Sequence, residues 1–206
     1  MRWRVFVYVP NIIGYIRLLL LVIGWWHFNY PIIFIPCYLS SVILDGVDGF
    51  SARRLNQTSE FGAWFDVLID NIGRSMMWNS LYDWGHFMSS LEWCVFVCTH
   101  SSLGSDWKKK FEKSPWLIQK IMSNDFRSVL GTWAISGIHI LPIWLYGYQK
   151  LILTKSLVLP VTAASIYSEW FVTGLLISGR ILCMGAELWC IWIHIVFLVQ
   201  NEDKGK

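Results

Sequence analysis

The sequence predicts an all-α fold: a polytopic membrane protein with a bundle of about six transmembrane helices, forming a single domain over residues 1–206. Composition is the first reason. Of the residues, 55% are hydrophobic and 17% aromatic, which is more apolar surface than a soluble domain of this length can bury. The second reason is that apolar runs of about 20 residues, the length a helix needs to cross a bilayer, recur along the chain. The expected solvent is therefore a lipid bilayer.

The predicted transmembrane segments are separated by short polar stretches. They lie at residues 11–29, 32–53, 60–82, 85–104, 128–147 and 170–199. The first two form a hairpin, because Pro31 suits the first turn of a new helix, where its missing N–H would have had no partner. Tryptophans near the ends of runs, such as Trp26 and Trp84, are typical of the aromatic belts at membrane interfaces. Residues 151–169 are apolar enough for an interfacial helix or for part of a span.

Basic residues indicate the orientation of these segments, since lysine and arginine favour cytoplasmic loops. With six spans, one side of the membrane holds most of the basic residues: Arg2, Arg4, Arg53, Arg54, the lysines of the polar stretch 105–127, Lys204 and Lys206. Both termini and the candidate active site are therefore predicted to lie at the cytoplasmic face. The net charge of only +3 gives no support for a nucleic-acid partner.

Four aspartates stand where the hydropathy indicates membrane: Asp45 and Asp48 at the end of the second segment, and Asp66 and Asp70 in the third. Charged groups in a bilayer are costly and mark functional sites. The spacings i, i+3 and i, i+4 place each pair on one face of its helix, so two facing pairs would form one pocket. Converging carboxylates repel one another unless a cation neutralises them, and hard oxygen ligands favour Mg²⁺ or Mn²⁺. The pattern predicts a divalent-metal site, although a transporter using the cluster for cations stays open at this point.

Small residues recur around these aspartates: Gly46, Gly49, Ala52, Gly62 and Ala63. Small side chains let helices approach closely or leave room for a ligand. Arg53, one turn beyond Gly49, is placed to meet a phosphate through paired N–H donors, or else to reach lipid headgroups at the interface.

The acidic motif resembles the signature of the CDP-alcohol phosphatidyltransferases at every fixed position. It reads Asp45-Gly-Val-Asp48-Gly49-Phe-Ser-Ala52-Arg53, followed by Gly62, Asp66 and Asp70. Pro10, Asn11 and Arg17 are similar to the family's opening helix. The resemblance implies that two divalent metal ions, Mg²⁺ or Mn²⁺, are bound by Asp45, Asp48 and Asp66, with Asp70 completing the site. These ions would hold the diphosphate of a CDP-linked donor. The resemblance also implies that Asp70 is the catalytic general base.

The same resemblance implies the substrates and their contacts. Residues expected to bind the donor, CDP-diacylglycerol, are Asn11, Gly49, Ala52, Arg53 and Gly62. The eukaryotic inositol-type members are most similar, which implies myo-inositol as acceptor, location in the endoplasmic reticulum, and a homodimer. Arg74 and Arg127 are candidate acceptor-side cations. Because Asn71 stands where inositol-type members usually have arginine, glycerol 3-phosphate and phosphatidylglycerol stay open as acceptors, as does a catalytically silent paralogue.

Overall fold

The computed structural model describes residues 3–103, 114–124, 126–150 and 163–204. Within these residues every regular element is helical, which confirms the predicted all-α class. After a short 3-10 helix at Trp3–Val7, the α-helices are α1 Val9–Trp26, α2 Pro31–Arg54, α3 Glu60–Leu81, α4 Gly85–Leu103, α5 Trp116–Met122, α6 Val129–Gln149 and α7 Ala163–Lys204.

Four of these helices, α1, α2, α6 and α7, are long and apolar enough to cross a membrane. The chain is thus an integral membrane protein. The third and fourth predicted segments are also helices, α3 with 22 residues and α4 with 19, which suffices to cross a bilayer at about 1.5 Å per residue. They are less apolar because they carry charged residues, among them Asp66, Asp70 and Glu92.

Two elements differ from the predicted segments. The short helix α5 lies inside the stretch 105–127 that was predicted to be a polar loop, because its apolar residues Ile118 and Ile121 are buried against the second half of the chain. Helix α7 begins at Ala163, seven residues before the predicted start, and its 42 residues extend for about 63 Å. Residues 104–113, with the clustered lysines, and residues 151–162 of the predicted interfacial segment lie outside the described residues.

The chain forms two compact units, Met1–Gly85 and His86–Lys206. In the first unit, α1 packs along α2 and against α3. Its buried residues Asn11, Gly14, Arg17, Leu21 and Gly24 recur every three or four positions and so share one face. Four of these five residues are small or polar, whereas the opposite face is apolar and exposed, as expected for a helix in lipid.

In the second unit, α6 and α7 cross at two glycines. A Cβ atom added to Gly179 would lie 2.5 Å from the carbonyl oxygen of Trp133, and one added to Gly137 would overlap the backbone of Arg180. The Trp133 indole N–H donates to the carbonyl oxygen of Leu175 at 2.8 Å, which adds a polar contact beside the crossing. Close approach through small residues is a common way to pack helices in a membrane.

A buried charged cluster joins α4 to α7 in the second unit. Arg180 donates from Nη1 to Oε2 of Glu187 at 2.8 Å, and its Nη2 lies 3.5 Å from Oε1 of Glu92. All three residues are less than 10% exposed. An unpaired charge is costly inside a membrane protein. We therefore expect Glu92, Arg180 and Glu187 to remain paired with one another.

The close contact of α6 and α7 predicts that alanine substitutions at different glycines of α7 will differ in their effect on stability. Gly179→Ala forces a methyl group against the backbone of α6 and is expected to lower the free energy of unfolding by about 1–3 kcal/mol. Gly174→Ala and Gly185→Ala are matched controls in α7, since an added Cβ at either glycine meets no atom within 4 Å. Thermal unfolding in detergent measures the difference; equal melting temperatures for the three variants would contradict the assigned crossing.

Candidate active site

The four predicted aspartates converge on one arginine in the first unit. Arg17 Nη1 donates to Asp48 Oδ2 at 2.7 Å and to Asp66 Oδ1 at 2.6 Å. Arg17 Nη2 donates to Asp70 Oδ1 at 2.6 Å and lies 2.9 Å from Asp45 Oδ1. The arginine is only 1% exposed, whereas the side chains of Asp45 and Asp66 are 42% and 44% exposed. The cluster therefore has a closed side formed by Arg17 and an open side formed by the carboxylates.

Helical spacing explains why three separate segments meet here. On α1, Arg17 follows Gly14 by three residues and lies on the same buried face. On α2 the aspartates are three residues apart, and on α3 they are four apart, so each pair points in one direction as predicted. The Ser41 hydroxyl donates to the carbonyl oxygen of Arg17 at 3.3 Å, which links α2 to α1 beside the cluster.

The donor set of this cluster fits a divalent cation. Asp45, Asp48 and Asp66 each offer one carboxylate oxygen, and these three oxygens lie within 4.8 Å of one another. Carboxylate oxygens are the ligands that Mg²⁺ and Mn²⁺ prefer. The four aspartates face two guanidinium groups, those of Arg17 and Arg74, so two negative charges remain for a bound cation to balance.

Arg74, one of the predicted acceptor-side cations, lies next to the predicted base. Its Nη1 is 3.6 Å from Asp70 Oδ2, and its Nη2 donates to the amide oxygen of Asn71. Both Asn71 and Arg74 are buried. Asn71 therefore orients the arginine that pairs with Asp70. The other predicted cation, Arg127, belongs to the second unit, directly before α6, and is exposed, so its role stays a prediction.

An open cleft adjoins Asp48 and Asp66. All five residues predicted to bind the donor line it: Asn11, Gly49, Ala52, Arg53 and Gly62. The other lining residues are Pro10, Gly14, Gln57, Thr58, Ser59, Ala63, Phe65 and Ile69. The structure thus brings the candidate donor residues and two candidate metal ligands to the same cavity.

One wall of the cleft is formed by the loop between α2 and α3. Ser59 caps α3, since its hydroxyl accepts the N–H of Gly62 at 3.0 Å. Gln57 accepts the N–H of Val9 through Oε1 at 2.8 Å and so joins the loop to the start of α1. A Cβ atom on Gly62 would lie 3.0 Å from both Asn11 Oδ1 and Ser59 Oγ, so a larger residue would require these side chains to shift.

In the sequence, Arg17 was recognisable only as part of the family-like opening, and neither Gln57 nor Ser59 was predicted to belong to the site. An arginine within an apolar run needs a charged partner in the membrane, and that signal could have linked Arg17 to the aspartates. For Ser59, a serine directly before a helical run is the usual capping residue. Gln57 carries no comparable local signal, because its partner Val9 is 48 residues away.

Residues 7–105 match the family model of CDP-alcohol phosphatidyltransferase. Among curated relatives, CDP-diacylglycerol–inositol 3-phosphatidyltransferase of Drosophila melanogaster is 48% identical over 72 residues, 34% of this chain and 32% of that protein. The human protein of that name is 40% identical over 75 residues, 32% of each chain. An Arabidopsis thaliana protein, CDP-diacylglycerol–inositol 3-phosphatidyltransferase 1, is 39% identical over 77 residues, 37% of this chain and 34% of its own.

The matched part of the chain spans about a third of the length of these curated relatives. No solved structure matches the chain. The family match covers α1 to α4 and contains the complete acidic cluster and every residue that lines the cleft. The match of residues 7–105 to this family model confirms the resemblance that the motif from Asp45 to Asp70 carries.

Proposed function

We propose that this chain is a membrane transferase that moves a phosphatidyl group from CDP-diacylglycerol to myo-inositol, giving phosphatidylinositol and CMP. The observation that carries the proposal is the meeting of all four motif aspartates beside a cleft lined by all five predicted donor residues. The names of the relatives, which are inositol phosphatidyltransferases, support the same substrates.

Asp45, Asp48 and Asp66, in a site completed by Asp70, would hold the divalent ions, Mg²⁺ or Mn²⁺, in a two-metal site. When bound, such ions supply positive charge that offsets the charge of the donor's diphosphate and of the leaving group. Arg53 would add paired N–H donors to the same phosphates, since its guanidinium Nη1 lies 3.5 Å from the position of a Cβ on Gly49 in the cleft wall. Asn11, Ala52 and Gly62 would border the nucleotide.

Asp70 would act as the general base. The inositol hydroxyl oxygen attacks the phosphorus that bears diacylglycerol and forms a new P–O bond, while the bond from that phosphorus to the oxygen shared with CMP breaks. The hydroxyl proton goes to a carboxylate oxygen of Asp70, and the electron pair of the broken bond leaves with CMP. Arg74, held by Asn71, keeps the Asp70 carboxylate in position.

The proposed acceptor, myo-inositol, has to be distinguished from two other candidate acceptors. Glycerol 3-phosphate and phosphatidylglycerol carry a phosphate that would need its own cation near Asp70. Arg74 is the nearest such residue on α3, but it is already engaged by Asp70 and Asn71. This favours an uncharged polyol. The proposal further takes residues 1–206 as one functional domain with both termini cytoplasmic, in the endoplasmic reticulum, as a homodimer.

The direct test is an acceptor screen with the purified full chain. With CDP-diacylglycerol, Mn²⁺ and labelled myo-inositol, we expect CMP and labelled lipid, and little competition from glycerol 3-phosphate or phosphatidylglycerol. Product with a different acceptor would correct the acceptor alone. Absence of product with every acceptor would contradict the transferase, and a cation flux in proteoliposomes without a CDP-linked donor would favour a transporter.

Two aspartate variants separate the base from the metal ligands. Asp70→Asn is expected to keep Mn²⁺ and CDP binding but to lower turnover about 10²- to 10⁴-fold, because the proton acceptor is removed. Asp48→Asn is expected to lose Mn²⁺ binding together with activity. Asp83→Asn, in the exposed turn between α3 and α4, is the control and should alter neither property. Unchanged Mn²⁺ affinity in Asp48→Asn would remove its assignment as a ligand.

Ser59 and Ser128, which cap α3 and α6, are a matched pair of positions for substitution. Ser59→Ala and Ser128→Ala each remove a hydroxyl that accepts a glycine N–H at 3.0 Å, so each should lower the free energy of unfolding by about 0.5–2 kcal/mol. Only Ser59 lines the cleft, so only Ser59→Ala should also weaken CDP binding. Calorimetric titration with CDP measures this, and an equal loss of CDP affinity in both variants would argue against a nucleotide in this cleft.

A further inference from the structure

Arg17 uses both terminal nitrogens of its guanidinium on the acidic cluster. Each nitrogen contacts two carboxylates, at distances of 2.6–2.9 Å. The remaining donor, Nε, is buried and has no hydrogen-bond partner among the described residues. Contacts with carboxylates therefore account for the position of the guanidinium, and no other polar group holds its Nε.

A divalent cation would need the same carboxylates. Asp45, Asp48 and Asp66 offer the candidate metal-ligating oxygens, and each of these residues also has an oxygen bonded to Arg17. Two positive groups sharing one ligand set repel each other strongly at such short range. Arg17 and the metal thus compete for these carboxylates.

We propose that Arg17 is an exchangeable counter-ion, so that its guanidinium and the divalent cation hold the carboxylates of Asp45, Asp48 and Asp66 in alternation. This inference rests on the divalent-cation binding that the proposed function requires. The half-exposed carboxylates of Asp45 and Asp66 give the cation a route to the cluster from the open side, opposite the buried arginine. Metal loading then requires displacement of a guanidinium as well as loss of water from the ion.

The proposal gives Arg17 two opposed effects. Without added metal it neutralises part of the acidic cluster and stabilises the packing of α1 against α2 and α3. When metal is added, Arg17 competes with the metal for the carboxylates and weakens metal binding. A merely structural arginine that shapes the carboxylates for the metal would do the reverse, because its removal would weaken metal binding.

The test compares Mn²⁺ binding by wild type, Arg17→Gln and Arg17→Lys in detergent, followed by electron paramagnetic resonance of free Mn²⁺. We expect Arg17→Gln to bind Mn²⁺ at least about tenfold more tightly than wild type, with Arg17→Lys between them. In EDTA, Arg17→Gln should melt at a lower temperature than wild type, and Mn²⁺ should raise its melting temperature by more. Arg17→Lys keeps a positive charge and supplies the affinity comparison even where the glutamine variant does not survive purification.

Arg180→Gln is the matched control, because Arg180 is also a buried arginine that pairs with carboxylates, those of Glu92 and Glu187 in the second unit. It should lower the melting temperature and leave Mn²⁺ affinity unchanged. Equal or weaker Mn²⁺ binding by both Arg17 variants would overturn the inference while leaving the proposed transferase in place. No Mn²⁺ binding by the wild type would instead overturn the metal site on which both depend.

Discussion

The contact of one guanidinium with four carboxylates is the interaction on which the first unit depends. Apolar side chains can face lipid as easily as another helix, so they do not fix which faces of membrane helices meet. Charged side chains do fix these faces, because each charged group needs a partner within the protein. Arg17 on α1 is bonded to Asp45 and Asp48 on α2 and to Asp66 and Asp70 on α3, and so sets the rotation of all three helices.

The same constraint creates the candidate active site. Once the three helices are rotated to bring their charges together, the small residues on the same faces leave space beside the cluster, and the loop from Gln57 to Ser59 closes one wall of that space. Negative charge that can hold cations thus stands next to a cavity lined by the candidate donor residues. The proposed phosphoryl transfer needs little more than this combination of positioning and charge, together with the base that we propose to be Asp70.

Much of this arrangement follows from local periodicity. Helical spacing within α2 and α3 was enough to predict two acidic pairs facing one pocket, and the resemblance of the motif and of the opening helix to the family identified five of the residues that line the cleft. Contacts between distant segments were not predictable in this way: Arg17 meets partners 28 to 53 residues away, and a cation from the chain itself stands where only a metal was expected. The pairing of Asn71 with Arg74 also depends on side-chain geometry that spacing alone does not give.

The length of α7 has a consequence for its place in the membrane. Its apolar stretch Tyr167–Gln200 is 34 residues, or about 51 Å, well beyond a hydrocarbon layer of about 30 Å. Two exposed tryptophans, Trp170 and Trp192, are about 33 Å apart along the helix, a separation that suits rings seated at opposite headgroup layers. With the two tryptophans at the headgroup layers, Arg180 lies near the middle of the bilayer, where water is scarcest. The final turns of the helix then extend beyond the lipid.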